Sequence, residues 1–214
     1  MDAAPASPRY GRLVLVPALI SLAVTLLRLV GELNRWSPVL FSRDAGGAGA
    51  LVGIVWLVPV FGIYFAVQLD RRGHGPASRG RAAGFAAGGL LLAFVAAALV
   101  ASRLPSPPAR ILAINLSCAL GAVVASRGWP QLAKAELAYG LAARVPVAAI
   151  MLIAMLANWG THYELGPPGF PSMDVLPKWL WIGLLPQMVL WIAFTVIVGM
   201  LFGSVAVLLV RPRR

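Results

Sequence analysis

Two ionisable side chains stand where a long apolar run ought to exclude them. Arg28 and Glu32 lie in the stretch Thr25-Leu26-Leu27-Arg28-Leu29-Val30-Gly31-Glu32. Four positions apart on a helix, they share a face and can pair. A charge inside hydrocarbon costs about 2.5–3.5 kcal/mol on insertion scales, so Arg28 needs a reason to be there. One reading is a guanidinium that binds an anionic group arriving from outside, with Glu32 setting its orientation. The other is a fixed ion pair about one turn below the helix end, its long side chain reaching up to the headgroups.

A second polar group follows the fifth apolar segment, in Asn158-Trp159-Gly160-Thr161-His162-Tyr163-Glu164. A histidine beside a carboxylate can do acid–base work, respond to pH or ligate a metal. Two candidate ligands so close in sequence do not make a metal site by themselves. The structural alternative is a polar loop that caps the preceding helix. Arg28, Glu32, His162 and Glu164 together form a candidate outer polar site, to which Asp44 and Asp174 would be neighbours on the same side. Their convergence has to come from the fold.

Other chemistries are poorly supplied. The single cysteine, Cys118, removes intramolecular disulfides, CxxC redox pairs and multi-thiolate metal sites. H-E-x-x-H, the phosphate-binding G-x-x-x-x-G-K-[ST] and the nucleophile elbow G-x-S-x-G are absent. No catalytic residue, metal or cofactor is therefore assigned, and the chain is read as more in keeping with a binder than an enzyme. Asn115, Ser117, Asn158 and Gln187 are uncharged polar residues within or at the ends of apolar segments. Interhelical hydrogen bonding is their default role and substrate lining the alternative.

The elements that must position these residues follow from composition. Of 214 residues, 60% are hydrophobic and only 12% charged, which is far from a soluble domain and points to a polytopic membrane protein. Six apolar segments stand out, at 13–30, 51–69, 84–102, 111–126, 145–159 and 186–210. They are continuously apolar rather than alternating, so helices are expected in place of barrel strands. The last run begins at 179. As one helix of 32 residues it would be about 48 Å long, against a hydrocarbon core of about 30 Å. Residues 179–185 are accordingly expected at the interface, with the span starting at Pro186. The first segment is too long for a signal-peptide core and is read as an uncleaved anchor.

Orientation rests on the basic residues. With the N-terminus cytoplasmic, twelve Lys and Arg fall inside: Arg9, Arg12, Arg71, Arg72, Arg79, Arg81, Arg127, Lys134, Arg144, Arg211, Arg213 and Arg214. Five fall outside: Arg35, Arg43, Arg103, Arg110 and Lys178. That bias predicts both termini inside. It also accounts for the net charge of +11 through contact with anionic lipid headgroups at the cytoplasmic face, with no nucleic-acid partner required. Residues 131–143 read as a short helix along the inner interface leading into the fifth span. Trp36, Trp159, Tyr163, Trp179 and Trp181 are expected at outer headgroup level, with Tyr10 and Trp129 at the inner one. Gly49/Gly53, Gly84/Gly88 and Gly199/Gly203 have the spacing that lets helices approach closely. Val16-Pro17 before Gly31 and Val145-Pro146 before Gly160 repeat one spacing, a faint sign of duplication.

The sequence thus predicts an all-α bundle of about six transmembrane helices, N-in and C-in, forming a single membrane domain in the bacterial inner membrane. Three functions fit. One is a small permease or ligand-binding component with an outward-facing polar site. Another is a scaffold or accessory subunit with a membrane-protein partner or a second copy of itself. The third is a lipid-active enzyme using His162 with Glu164 or Asp174. Against the first stands the expectation that no span other than the first carries an ionisable residue well inside.

Overall fold

Backbone groups in lipid must be satisfied within their own segment, and these apolar runs meet the requirement as helices. The structure, a computed structural model, describes residues 10–47 and 50–210 and is all-α. Six long helices run through the described residues: α1 (Tyr10–Leu33), α2 (Leu57–Arg71), α3 (Arg79–Ala101), α4 (Pro107–Ser126), α5 (Pro130–Ala157) and α6 (Val175–Leu209). Five of them, all but α2, are long and apolar enough to cross a membrane. The chain is a multi-pass, all-helical integral membrane protein. Of the residues used for orientation, Arg9, Arg211, Arg213 and Arg214 lie outside the described residues, as does Gly49.

Local chemistry sets the ends. The Ser78 hydroxyl accepts from the Arg81 N–H to open α3, and Ser106 accepts from Ala109 ahead of Pro107 and Pro108 to open α4. Asn158 closes α5 in the left-handed conformation, φ 51°, a role the asparagine side chain tolerates.

Glycines set the closest approaches. On α3 and α4, Gly89 and Gly121 face one another, and a Cβ on either would strike the other's carbonyl oxygen. On α2 and α6, Gly62 lies against the backbone of Gly199, and Gly203 lies against the Gly62 carbonyl. Of the glycine spacings in the sequence, Gly199/Gly203 is used this way. Gly84 and Gly88 have open space where a Cβ would be.

Three expectations are corrected. The second apolar segment is not a helix from residue 51. Residues 50–56 are irregular, and α2 begins at Leu57. Their backbone turns back to the preceding loop, with Leu51 N–H on Val39 O at 3.3 Å and Val52 N–H on Leu40 O at 3.0 Å.

The expected interfacial helix before the fifth span does not exist as a separate element. Residues 130–157 form one helix of 28 residues, about 42 Å long. Val145-Pro146 resembles a helix start because proline disfavours α geometry in its predecessor. Here the helix runs through it, and Pro146 is accommodated inside. One face of the half expected on the membrane surface is buried: Leu132, Ala135, Glu136 and Tyr139 are all 0–1% exposed. Trp129 is also fully buried, its indole N–H donating to His74 O at 2.8 Å, so it is no headgroup anchor.

The last run is not divided at Pro186. α6 continues for 35 residues, with wide π turns at Trp179–Leu184 and Pro186–Leu190. Proline lacks an N–H and displaces the ordinary ladder around it. A partner on α4 supports the widened turn. Asn115, 1% exposed, accepts the Leu190 N–H on Oδ1 at 3.0 Å and donates to Ile111 O at 2.8 Å. Trp179, expected at headgroup level, donates its indole N–H to Ala148 O of α5 at 2.9 Å.

Candidate functional site

The C-terminal end of α1 and the loop after α5 meet at Glu32. Arg28 Nε donates to Glu32 Oε1 at 2.8 Å, the expected pairing along one helix face. His162 then binds the same carboxylate twice. Its backbone N–H donates to Oε2 at 3.0 Å, and its ring Nδ1 meets Oε1 at 2.5 Å. A carboxylate oxygen accepts, so the ring proton of this contact resides on Nδ1. Arg28 also donates to Ser42 O at 3.0 Å. Glycine at 53 leaves room for the guanidinium, since a Cβ there would come within 3.3 Å of it. Glu32 is 1% and Arg28 8% exposed. Arg28 is therefore part of an internal network.

His162 opens a single 3₁₀ turn, His162–Glu164, and stacks on Tyr163 with ring centroids 3.9 Å apart. Burial pushes the His162 imidazole below its usual range, and the nearby Arg28 charge adds to this. Glu32 pulls the other way without reversing it. Burial likewise raises the Tyr163 hydroxyl, which sits within the fields of both Arg28 and Arg144. Tyr163 is 3% exposed, so the second aromatic expected at headgroup level is also interior.

Glu164 is not part of this cluster. Its carboxylate turns back to its own loop and accepts from the Thr161 N–H at 2.6 Å and the Thr161 hydroxyl at 3.3 Å. That is a reciprocal cap of the turn, and it spends the carboxylate locally. Asp44 is bonded to the Ser42 hydroxyl. Asp174 sits at the start of α6 without a side-chain capping bond. The structure thus gathers Arg28, Glu32 and His162 and leaves out Glu164, Asp44 and Asp174. Among the described residues, no three His, Cys, Asp or Glu side chains form a group able to hold a metal.

The cluster stands beside a cavity of about 830 Å³, within the usual range of small-molecule sites. It is walled by α1, the irregular residues 50–56, the start of α4, the C-terminal half of α5, the turns of α6 and the loop after α5. Most of its lining is apolar. Arg28 and His162 border it near the loops, and Arg144 and Gln187 border it deeper among the helices. Non-helical backbone at membrane depth is tolerated where it lines a cavity, and residues 50–56 do so.

Sequence reasoning missed the deeper half. Glu136 was expected on the short helix along the inner interface and Arg144 at the inner end of the fifth span, whereas both are buried within α5, at 0% and 4% exposure. The Glu136 carboxylate presses on Gly199 of α6, where an added Cβ would collide with it, and neither of its oxygens has a hydrogen-bond partner. Arg144 lies over the Trp191 ring at 4.6 Å. The available signal was helical spacing. Leu132, Glu136, Tyr139, Ala143 and Val147 recur at three- and four-residue steps, which places the charges on a buried face.

Comparison with protein families, with curated proteins and with solved structures finds no match to this chain.

Proposed function

We propose that the protein is a small ligand-binding membrane component of the permease type. It would lie in the bacterial inner membrane with both termini cytoplasmic, its cavity opening toward the outer side. The observation that supports this most is the cavity itself, about 830 Å³ of apolar-walled space with Arg28, His162, Arg144 and Gln187 on its border. A passive scaffold gains nothing from burying ionisable groups around an interior space, because each costs several kcal/mol to desolvate. Moving Arg144 out of the inner loop leaves eleven basic residues there against five outside, so the charge bias still favours this orientation. The proposal is one of binding rather than catalysis. The Glu32 carboxylate and His162 Nδ1 are engaged with each other, and Glu164 is engaged with Thr161.

The test is ligand-induced stabilisation. A molecule that binds only the folded protein raises its unfolding temperature in a saturable way. Dodecanol and dodecanoate, titrated into the purified protein in a neutral detergent, are expected to do this. Val147→Trp, which fills the cavity, is expected to abolish it. A rise that never saturates, or one that persists in Val147→Trp, would overturn the proposal.

A further inference from the structure

The ligand's own chemistry can be read from two buried polar side chains on the cavity wall. We propose that it carries an oxyanion, a carboxylate or phosphate on an apolar body, and that Arg144 with Gln187 receives that group. This rests on the ligand-binding reading above.

Arg144 is 4% exposed and lies thirteen residues before the end of α5 at Ala157, about 20 Å along the helix axis. One face of its guanidinium covers the Trp191 ring. Its Nε has no hydrogen-bond partner, and among the described residues no carboxylate forms an ion pair with it. The nearby tyrosines do not supply the missing charge, and the Tyr139 hydroxyl is already bonded to Ser21 at 2.7 Å. Glu136, two turns earlier, is packed against Gly199. A buried guanidinium without an anion is costly, and its donors form a planar fork suited to carboxylate or phosphate.

Gln187 supplies the second observation. It is 7% exposed and borders the same cavity. Its Nε2 has only the Met151 sulfur at 3.6 Å, and its Oε1 has no partner. This amide is left to donate to an oxyanion or to accept from a hydroxyl beside it. Arg28 differs in kind, since Glu32 already neutralises it and Ser42 O accepts from it. The remaining walls, among them Ile54, Pro59, Val147, Leu190 and Phe194, suit a hydrocarbon body.

Four probes separate the components: dodecanol, dodecanoate, dodecyl phosphate and inorganic phosphate. Each is titrated into the protein in neutral detergent near pH 8, where the carboxylate and phosphate are ionised. Stabilisation against unfolding is the readout. The two anionic amphiphiles are expected to saturate at about tenfold lower concentration than dodecanol, the scale of one added charge-assisted hydrogen bond. Arg144→Gln is expected to erase that preference. Arg144→Lys, which keeps the charge but loses the fork, is expected to shrink it. Equal affinity for dodecanol and both anions in the wild type would overturn the oxyanion assignment while leaving the cavity as a binding site. Saturation by none of the amphiphiles would overturn the binding reading, and this inference with it. Inorganic phosphate binding as tightly as dodecyl phosphate would overturn the apolar body and leave a free anion as the ligand. The wild-type comparison needs no variant to fold.

Discussion

Glu32 and His162, 130 positions apart in sequence, are joined by two hydrogen bonds at 3.0 and 2.5 Å, one from the histidine backbone and one from its ring. This double contact fixes the start of the loop after α5 onto the end of α1. It also sets one border of the cavity, because His162, Tyr163 and Leu165 all line it. Glu32 thereby serves two cationic or donor partners at once.

Removing that shared acceptor should be expensive. Glu32→Ala leaves Arg28 and His162 without their carboxylate, and breaking a buried charge pair from one side costs about 3–5 kcal/mol. Denaturant unfolding in detergent is expected to show a loss of that order. A loss below about 1 kcal/mol, typical of an exposed pair, would contradict the buried network.

His162 should make stability depend on pH in a definite direction. Its folded pKa is depressed below the ordinary 6.5, chiefly by burial. The folded state therefore binds fewer protons than the unfolded one between the two values. Its contribution is fully present above about pH 6.5 and is lost as pH falls through the depressed folded value. Unfolding curves stepped from about pH 8 to about pH 5 are expected to show that decline, and His162→Gln is expected to flatten it. An identical slope in the variant would assign the effect to another group.

The glycine contacts predict an ordered pair of effects. Gly62→Ala sets a methyl against the Gly199 backbone, which cannot turn aside. Overpacking of this kind costs about 1–3 kcal/mol. Gly199→Ala instead meets the Glu136 carboxylate, so Glu136→Ala should relieve it but should not relieve Gly62→Ala. A double-mutant cycle read by thermal unfolding distinguishes the two. Equal relief of both would mean that the helices separate as a unit.

Ser21 and Tyr139 link α1 to α5 through a 2.7 Å hydroxyl contact with both residues 0–1% exposed. Tyr139→Phe and Ser21→Ala should each lower stability by about 0.5–1.5 kcal/mol, with the double variant less than additive. Additive losses would show that the hydroxyls act independently.

Helix type and number were legible because a bilayer leaves few options for apolar runs of this length. Arg28 with Glu32 was legible because a four-residue spacing is a local property. His162 could be marked as chemically able, but its attachment to Glu32 depends on how the loop folds back, and local spacing carries no such information. Glu164 looked equivalent to His162 in sequence, yet it was claimed by Thr161 at three residues' distance. Arg144 and Glu136 were misplaced because hydropathy averages a window, whereas burial follows one face of a helix. A few charges on a buried stripe lower the average enough to resemble a loop. Pro146 and Pro186 added false boundaries, as both sit inside helices whose neighbours accommodate them.

The shortness of α2 bears on how the protein is made. At fifteen residues it rises only about 22 Å, less than the hydrocarbon thickness. Its tightest backbone contact, Gly62 with Gly199 and Gly203, is to α6, the last helix among the described residues. A ribosome delivers Gly62 well before Gly199, so the nascent chain carries α2 without its principal neighbour until α6 has been made. Final seating of α2 must therefore wait until α6 has been threaded, and the cavity bordered by residues 50–56 is completed only then.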